Sequence, residues 1–289
     1  MAEPQKYVLA KAEGEAETGR LDLQHRMWLI QHDGLLYTAP IPSAPSPRIL
    51  DMGCGTGIWS IAFATQHPNS HVLGVDINPP HAKLIPANCT FAFADAEGDW
   101  PFAAEPYDFI FGRALVACIR DWPRFMKRCL QHLKPGGWLE LNDARQVRIF
   151  AENACDEAES GFIKWFRVLI QEGLRKNGIG MNDTEKHAQQ LRDAGFTDVR
   201  ERVWKWSMSS KLESTEKEKY NPLGALMYQN MLVLIEGVMA TVVGHEDLLG
   251  MSEQEALDLA GEAKRDLLEN ADRRGYYILV ATYVGQAPH

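Results

Sequence analysis

The chain has 289 residues, 45% of them hydrophobic, which is enough to bury the core of one large α/β domain or of two small ones. Acidic residues (39) outnumber Lys and Arg (30), and the net charge of -9 comes without a basic stripe, which argues against a nucleic-acid substrate. The cysteines are odd in number, widely spaced and never in a CxxC pair, so we expect free thiols in a reducing compartment, no disulfide and no metal site: Cys54, Cys89, Cys118, Cys129 and Cys155.

The first residues, "MAEPQKYVLAKAEGEAE", lack both the apolar core of a signal peptide and the arginine-rich character of a transit peptide. We therefore expect an intracellular protein, cytoplasmic or nuclear. The most apolar stretch, residues 226–243, contains Gln229, Asn230 and Glu236 and is short for a membrane span. It predicts a buried or pocket-lining helix and no membrane contact.

A helical arm is predicted over residues 13–36, followed by an extended connector, "SAPSPR", whose prolines exclude helix. From residue 48, apolar runs alternate with helical segments, namely "RILDMG", "HVLGVD", "TFAFAD", "YDFIFG" and "GWLELND", with helices at 58–67 and 122–133 and short links at 82–85 and 98–104. This alternation predicts βαβ units and a mainly parallel sheet with helices on both faces.

After the fifth strand, helices are predicted at about 156–177 and 183–194, then the strand "TDVRERVWKWSM", a helical insertion at 211–274 and a last strand, "GYYILVATYVG". The predicted organisation is therefore an arm or lid (1–47), a core (48–210), a helical cap (211–274) and the last core strand (275–289).

Three glycines, Gly53, Gly55 and Gly57, follow the strand that ends at Asp51 and precede a helix. A dinucleotide-binding loop reads GxGxxG, but here the third glycine comes one residue early and Ile58 occupies the expected position. The spacing D-x-G-x-G-x-G matches the S-adenosylmethionine (SAM) loop of class I methyltransferases instead. The alternative is a simple strand-to-helix turn.

Acidic residues at the next strand ends strengthen the prediction of a SAM site. We expect Asp51 near the SAM ammonium, Asp76 accepting from both ribose hydroxyls, and Asp95 accepting from the adenine amine. Asp95 has an alternative role as a helix cap. The neighbouring residues complete the predicted cofactor site, with Ala96 as a backbone contact: Cys54, Ile77, Ala96 and Glu97.

Longer motifs extend over most of the chain, among them "RLDLQH", "LDMGCGTGIWSIAFA", "HVLGVDINP", "FADAEGDWPF", "YDFIFGRAL" and "DWPRFMKRCLQHLKPGGWLELND". In these motifs the chain resembles the fungal LaeA-like methyltransferases of class I. The resemblance implies a Rossmann-like sheet of seven strands in the order 3-2-1-4-5-7-6, with SAM as cofactor. It leaves the methyl acceptor open, because the group includes both regulators that work with velvet-type partner proteins and tailoring enzymes of biosynthetic pathways.

Candidate catalytic residues come from the arm and the fourth strand. His25, within "RLDLQH", is either a pocket residue and general base or a core or capping histidine. Arg20 either closes over the SAM carboxylate or pairs with Glu17 or Asp22. Arg113, where class I enzymes place a residue beside the reacting methyl group, either contacts cofactor or acceptor or braces its loop through an ion pair.

Candidate substrate residues are Trp28 in the arm and Tyr228 and Met231 in the insertion, with core packing as the alternative. Three functions remain open. The first is a methyltransferase acting on an oxygen or nitrogen of a small molecule of secondary metabolism. The second is a regulatory methyltransferase with a protein partner, and the third is a SAM-bound protein that catalyses a rearrangement or cyclisation. The sequence also leaves open whether the protein forms a homodimer.

Overall fold

A computed structural model describes the chain over residues 15–41, 43–80, 84–102, 105–153, 160–176, 178, 180, 184–208, 217–242 and 251–289. The chain divides into two compact units. The sheet unit comprises His32–Arg145, Asn182–Trp204 and Val280–His289. The helical unit comprises Met1–Gln31, Gln146–Met181 and Lys205–Leu279. The helical unit thus joins most of the predicted arm and cap to residues 146–181, which lie within the predicted core segment.

Eight strands form one sheet, and their bounds are β1 Arg48–Met52, β2 His71–Asp76, β3 Cys89–Phe93, β4 Tyr107–Arg113, β5 Leu133–Ala144, β6 Phe150–Ala151, β7 Thr197–Ser207 and β8 Tyr276–Gln286. Strands β3-β2-β1-β4-β5 are parallel neighbours in that order. The last strand, β8, pairs antiparallel with β5, and β7 pairs with β8. Without the two-residue β6, which was not predicted and pairs with β8, this is the predicted order 3-2-1-4-5-7-6. The α/β Rossmann-like prediction is confirmed.

Local sequence signals set the helices of the sheet unit, which are α2 Ile58–Gln66, α3 Trp122–Gln131 and α6 His187–Ala194. Helix α2 begins directly after Gly57, whose φ of 74° is left-handed. At the start of α3 the Asp121 side chain accepts a hydrogen bond from the Arg124 amide at 2.9 Å, an N-cap that satisfies an otherwise unpaired donor. Helix α6 ends at Gly195, with φ 105°.

The sheet unit buries apolar side chains on the sheet and its helices. One cluster joins strand residues such as Ile110 and Leu141 to Phe125 of α3 and Leu191 of α6. Elsewhere in the unit, the Trp59 ring of α2 stacks on Phe111 of β4 with the ring centroids 4.0 Å apart, and its indole N–H donates to the Leu36 carbonyl at 2.8 Å. The indole is therefore buried with its donor satisfied.

A buried carboxylate on β5 fixes the segment that precedes β1. Oε2 of Glu140 accepts the amides of Thr38 and Ala39, both at 2.7 Å, and Oε1 accepts the Asn142 side-chain amide at 3.2 Å. Burial raises the pKa of Glu140 to about 6, although these hydrogen bonds lower it. The carboxylate thus holds residues 38 and 39 against the sheet.

The helical unit contains α1 Glu15–Gln31, α4 Gly161–Trp165, the π-helix Phe166–Gln171, α5 Glu172–Lys176, α7 Lys217–Val242 and α8 Glu253–Arg274. Helix α1 packs on α7, and both α4 and α7 pack on α8. A capping box begins α8, where the Ser252 hydroxyl accepts the Glu255 amide and the Glu255 carboxylate accepts the Ser252 amide. None of the helices in the described ranges is long and apolar enough to cross a membrane.

Several element boundaries differ from the prediction. The arm helix ends at Gln31 and not near Leu36, because Asp33 (φ 56°) and Gly34 (φ 85°) adopt left-handed conformations that end a helix. The predicted helix at 156–177 contains the π-helix, and its first residues, 156–159, lie outside the described ranges. The insertion forms α7 and α8, with residues 243–250 also outside the described ranges. The links at 82–85 and 98–104 are partly outside them.

Asp266 of α8 joins three elements of the helical unit. Its Oδ2 accepts the hydroxyls of Ser160 and Tyr276, both at 2.8 Å, and the Phe162 amide at 3.2 Å. Burial alone would raise the pKa of Asp266, but these hydrogen bonds hold it below its ordinary value. Ser160 is also the N-cap of α4, so the carboxylate links α4, α8 and β8.

We expect Asp266→Asn to lower the free energy of unfolding at pH 7 by about 2 kcal/mol, because the amide replaces an ionised acceptor of buried donors. Since the folded-state pKa is lowered, this stabilisation is present above the ordinary aspartate pKa and is lost as the pH falls through the folded-state value. Urea unfolding at pH 7 and pH 3 measures both effects, and the difference from wild type should shrink at pH 3.

Asp258→Asn is the matched control, because Asp258 lies exposed on the same helix and accepts only the Gln254 side chain in the described contacts. It should change the stability by less than about 0.5 kcal/mol at either pH. An Asp266→Asn effect that does not change with pH would contradict the argument.

Candidate functional site

The loop after β1 is shaped by glycines that no other residue can replace without strain. Gly53, Gly55 and Gly57 have φ values of 69°, 53° and 74°. A Cβ on Gly53 would lie 2.5 Å from Cδ2 of Leu115, and one on Gly57 would lie 2.6 Å from Cζ of Phe91. The amides of Gly53 and the buried Cys54 donate to the Val75 carbonyl at 2.8 and 3.0 Å, so the loop is fixed to the end of β2.

Asp76 ends β2 with its carboxylate oriented by two backbone amides. Gly55 donates to Oδ2 and Asn78 donates to Oδ1, both at 2.9 Å. The side chain is half-buried, and the next residue, Ile77, is 41% exposed, so both lie at the surface of this edge. The structure therefore brings Asp76 and the glycine loop together, and their role in binding SAM stays a prediction.

Asp51 lies beneath the loop. It is 3% exposed, and its Oδ2 accepts the Ser60 hydroxyl at 2.5 Å. Burial raises the pKa of Asp51 to about 6, against the Ser60 hydrogen bond and the positive charge of Arg113, which lower it. Arg113 is half-buried at the end of β4, close enough to act electrostatically on Asp51.

The segment after β3 carries Asp95, Ala96 and Glu97. Asp95 is exposed, and its Oδ1 accepts the Glu97 amide at 2.8 Å, which is a turn-capping contact. The Ala96 carbonyl accepts the indole N–H of Trp100 at 3.1 Å. Glu97 accepts the amides of Arg120 and Asp121, both at 2.9 Å, so it braces the segment before α3.

The remaining predicted residues lie in the helical unit. Arg20 makes a double contact with Glu17, at 2.7 and 2.5 Å, which is the ion-pair alternative of the prediction. His25 is 5% exposed within α1.

Trp28 packs edge-to-face on Trp206 with the ring centroids 4.7 Å apart. Tyr228 is half-buried on α7, and the pKa of its phenol is raised by burial and by Asp272; Met231, also on α7, is buried.

Two buried acids near the site were not predicted, Glu140 and Asp143 of β5. The carboxylate of Asp143 accepts amides from Leu115 and Val116, which follow β4, and from Ala144. The signal was available in "LELND", because a central strand of a parallel sheet is normally apolar and acids within it need partners. The identity of those partners was not readable, since they lie far away along the chain.

The carboxyl ends of β1, β2, β3 and β4 therefore meet at one edge of the sheet. This edge carries carboxylates and the glycine loop, which has no side chains at Gly53, Gly55 and Gly57. Carboxylates accept hydrogen bonds from hydroxyls and amines and attract positive charge. Such an arrangement suits a ligand with vicinal hydroxyls, an exocyclic amine and cationic groups, which are the features of SAM.

Comparisons with known proteins agree with this chemistry. A model of the methyltransferase domain family matches residues 23–201. The methyltransferase pytC of Aspergillus terreus is 30% identical over 258 residues, which cover 88% of this chain and 76% of that protein. The secondary metabolism regulator LAE1 of Cochliobolus heterostrophus is 34% identical over 65% of this chain and 62% of its own.

The protein-methionine methyltransferase laeA of Emericella nidulans is 35% identical over 64% of this chain, and the match spans about half (49%) of that relative's length. A phosphoethanolamine N-methyltransferase of Haemonchus contortus, solved with SAM, matches 94% of this chain and 53% of its own with a TM-score of 0.46 and 18% identity. From the family match and the chain-wide similarity to pytC, the chain belongs to the LaeA-like class I methyltransferases, enzymes that use SAM as cofactor.

Proposed function

We propose that the protein transfers the methyl group of SAM to an oxygen or nitrogen of a small molecule of secondary metabolism. The observation that carries the proposal is the edge of the sheet unit, where Asp76 is oriented by the Gly55 and Asn78 amides beside the glycine loop. A small-molecule acceptor is supported by the helical unit, where the Asn230 side chain is buried and its Oδ1 has no hydrogen-bond partner among the described residues. A buried polar atom of this kind is available to a ligand.

In this proposal each residue of the sheet edge binds a different group of the cofactor. Asp76 accepts from the ribose hydroxyls, Asp95 accepts from the adenine amine and Asp51 lies near the ammonium group. The other members, Cys54, Ile77, Ala96 and Glu97, line or brace this site, and Arg113 contributes positive charge near Asp51. Arg20, in the helical unit, is the proposed partner of the SAM carboxylate. When bound, SAM supplies a methyl group on a sulfonium, so the leaving group is already activated and the protein needs mainly to align the acceptor.

Proton removal is needed only for an acceptor that reacts from a protonated hydroxyl or ammonium group. His25 is the proposed base, because imidazole exchanges protons near neutral pH and its side chain is buried in α1. Trp28, Tyr228 and Met231 are the proposed contacts of the acceptor. Arg113 is proposed to lie beside the reacting groups.

A second candidate function is regulatory methylation with a protein partner. It is favoured by the similarity to LAE1 and to laeA, whose name gives methionine in protein as an acceptor. The chain covers about half to three fifths of those relatives. Their activities and partners therefore remain a proposal for this chain.

Labelled SAM distinguishes the candidate functions. We expect incubation with a metabolite extract and a protein extract of the source organism to place the label in a small molecule. Label in protein would contradict this proposal and support the regulatory one, whereas an altered but unlabelled metabolite would indicate a SAM-assisted rearrangement. The Asp76→Ala protein serves as the control for label that arises without the cofactor site.

Asp76→Ala should weaken SAM binding about 100-fold, because hydrogen bonds from two ribose hydroxyls to a charged acceptor are lost together. Calorimetric titration measures the affinity. Asp99→Ala is the matched control, since Asp99 is an exposed acid near the same edge, and it should bind as wild type does. Near wild-type affinity for Asp76→Ala would show that the ribose contact is misplaced.

His25→Ala should lower kcat about 100-fold at neutral pH while SAM affinity stays unchanged, because general-base catalysis contributes a factor of that order. His32→Gln is the control: His32 is equally buried, and its Nε2 lies 3.1 Å from the Thr282 hydroxyl in a structural contact. If His25→Ala lowers the melting temperature and leaves kcat intact, His25 is a core residue.

A further inference from the structure

Asp143 holds the turn that follows β4. The residue lies near the carboxyl end of β5 and is 4% exposed. Its carboxylate accepts the amides of Leu115 and Val116, and Oδ1 accepts the Ala144 amide at 2.8 Å. We call residues 114–119 the β4 turn. Two of the three amides on Asp143 thus come from this turn.

The β4 turn is strained at its first residue. Ala114 has φ 56°, a left-handed conformation that is unfavourable for an L-residue with a Cβ. Its amide donates to the Asn142 carbonyl at 2.9 Å, one residue before Asp143. The end of β5 therefore holds the strained turn through a main-chain contact and a side-chain contact, and strain that is held in this way is typical of functional sites.

The same turn forms part of the proposed cofactor site. Leu115 contacts the glycine loop so closely that a Cβ on Gly53 would collide with it. Burial raises the pKa of the Cys118 thiol, and the charges of Asp143, Asp76, Glu97 and Asp95 raise it further, in that order. The turn therefore lies among the carboxylates proposed to bind SAM.

We propose that Asp143 is a positioning residue: its carboxylate holds the β4 turn against the glycine loop, so that cofactor affinity depends on the charge of Asp143. The proposal rests on the proposed cofactor site and is independent of the methyl acceptor. In this role Asp143 acts on the cofactor through the turn, by way of the amides of Leu115 and Val116.

The charge of Asp143 changes within the physiological range. Burial raises its pKa to about 7, although the three amides lower it. Among the described residues, the Cys118 thiol of the turn and the Tyr283 phenol of β8 interact electrostatically with Asp143, and their own pKa values are raised, so both stay neutral between pH 6 and 8. The charges of Glu201, Arg145 and Glu185 also act on Tyr283. His187 of α6 packs against Tyr283, with the ring centroids 5.1 Å apart.

The direction in which pH changes the cofactor affinity follows from the strength of these hydrogen bonds. Above pH 7 the ionised carboxylate accepts the amides strongly, and below pH 7 the protonated acid accepts them weakly. Because ligand binding and ionisation are linked, a turn held by the carboxylate binds the cofactor more tightly at pH 8 than at pH 6.

The test is calorimetric titration of S-adenosylhomocysteine into wild type, Asp143→Asn and Glu140→Gln at pH 6, 7 and 8. The readout is the ratio of each variant's Kd to that of wild type at the same pH, in which the ionisation of the ligand and of Asp51 cancels. Glu140→Gln is the matched control, because Glu140 is a buried acid on the same strand that holds residues 38 and 39 and not the β4 turn.

The ratio for Asp143→Asn should be about tenfold at pH 8 and fall towards one at pH 6, where wild-type Asp143 is itself neutral. The ratio for Glu140→Gln should not follow this profile. A ratio for Asp143→Asn that is near one at pH 8, or constant with pH, would overturn the proposal. If Asp76→Ala binds as wild type does while Asp143→Asn shows the expected profile, the ribose contact is wrong and the role of Asp143 stands.

Hydrogen exchange of the wild-type protein gives the same answer if Asp143→Asn does not fold. Protection of the Leu115 and Val116 amides, relative to their intrinsic exchange rates, should rise several-fold from pH 6 to pH 8 as the carboxylate forms. Protection that does not change over this interval would overturn the proposal.

Discussion

Two buried carboxyl groups on β5 accept hydrogen bonds from main-chain amides. These hydrogen bonds fix two segments of the sheet unit that lie outside its strands. Glu140 binds the amides of residues 38 and 39, and Asp143 binds those of residues 115 and 116. An even spacing would place both acids on one face, but their spacing of three residues sends them to opposite faces of the strand. One strand therefore orders a segment on each side of the sheet, and the penalty of burying two acids is offset by satisfied donors.

The proposed cofactor edge is acidic for a physical reason. Asp51, Asp76 and Asp95 lie at or just after the carboxyl ends of three adjacent parallel strands, so their carboxylates gather where SAM would present its ammonium group, ribose hydroxyls and adenine amine. Arg113 acts on Asp51 and keeps one acid more easily ionised than burial alone would allow. The glycine loop packs closely on Leu115 and Phe91 because Gly53 and Gly57 lack Cβ atoms, and its Gly55 amide donates to Asp76 at 2.9 Å.

The sequence predicted the features that depend on local spacing. The strand order, the glycine loop and Asp76 followed from alternating apolar runs and from the resemblance, and the Arg20 ion pair with Glu17 was an i, i+3 alternative. Features that depend on distant partners were not predicted. Glu140 meets an amide 102 residues away, and the left-handed Ala114 has no turn residue to indicate it. The residues proposed to contact the methyl acceptor stay predictions, because a buried side chain is compatible with both core packing and substrate recognition.

The acids at this edge also affect two thiols. Cys54 lies in the glycine loop and Cys118 in the β4 turn, and for both the pKa is raised first by burial and then by neighbouring carboxylates, Asp76 among them. The thiolate is the nucleophilic form of cysteine. If SAM binds at this edge as proposed, its electrophilic methyl group lies near two thiols that stay protonated, and the raised pKa values would limit alkylation of the protein by its own cofactor.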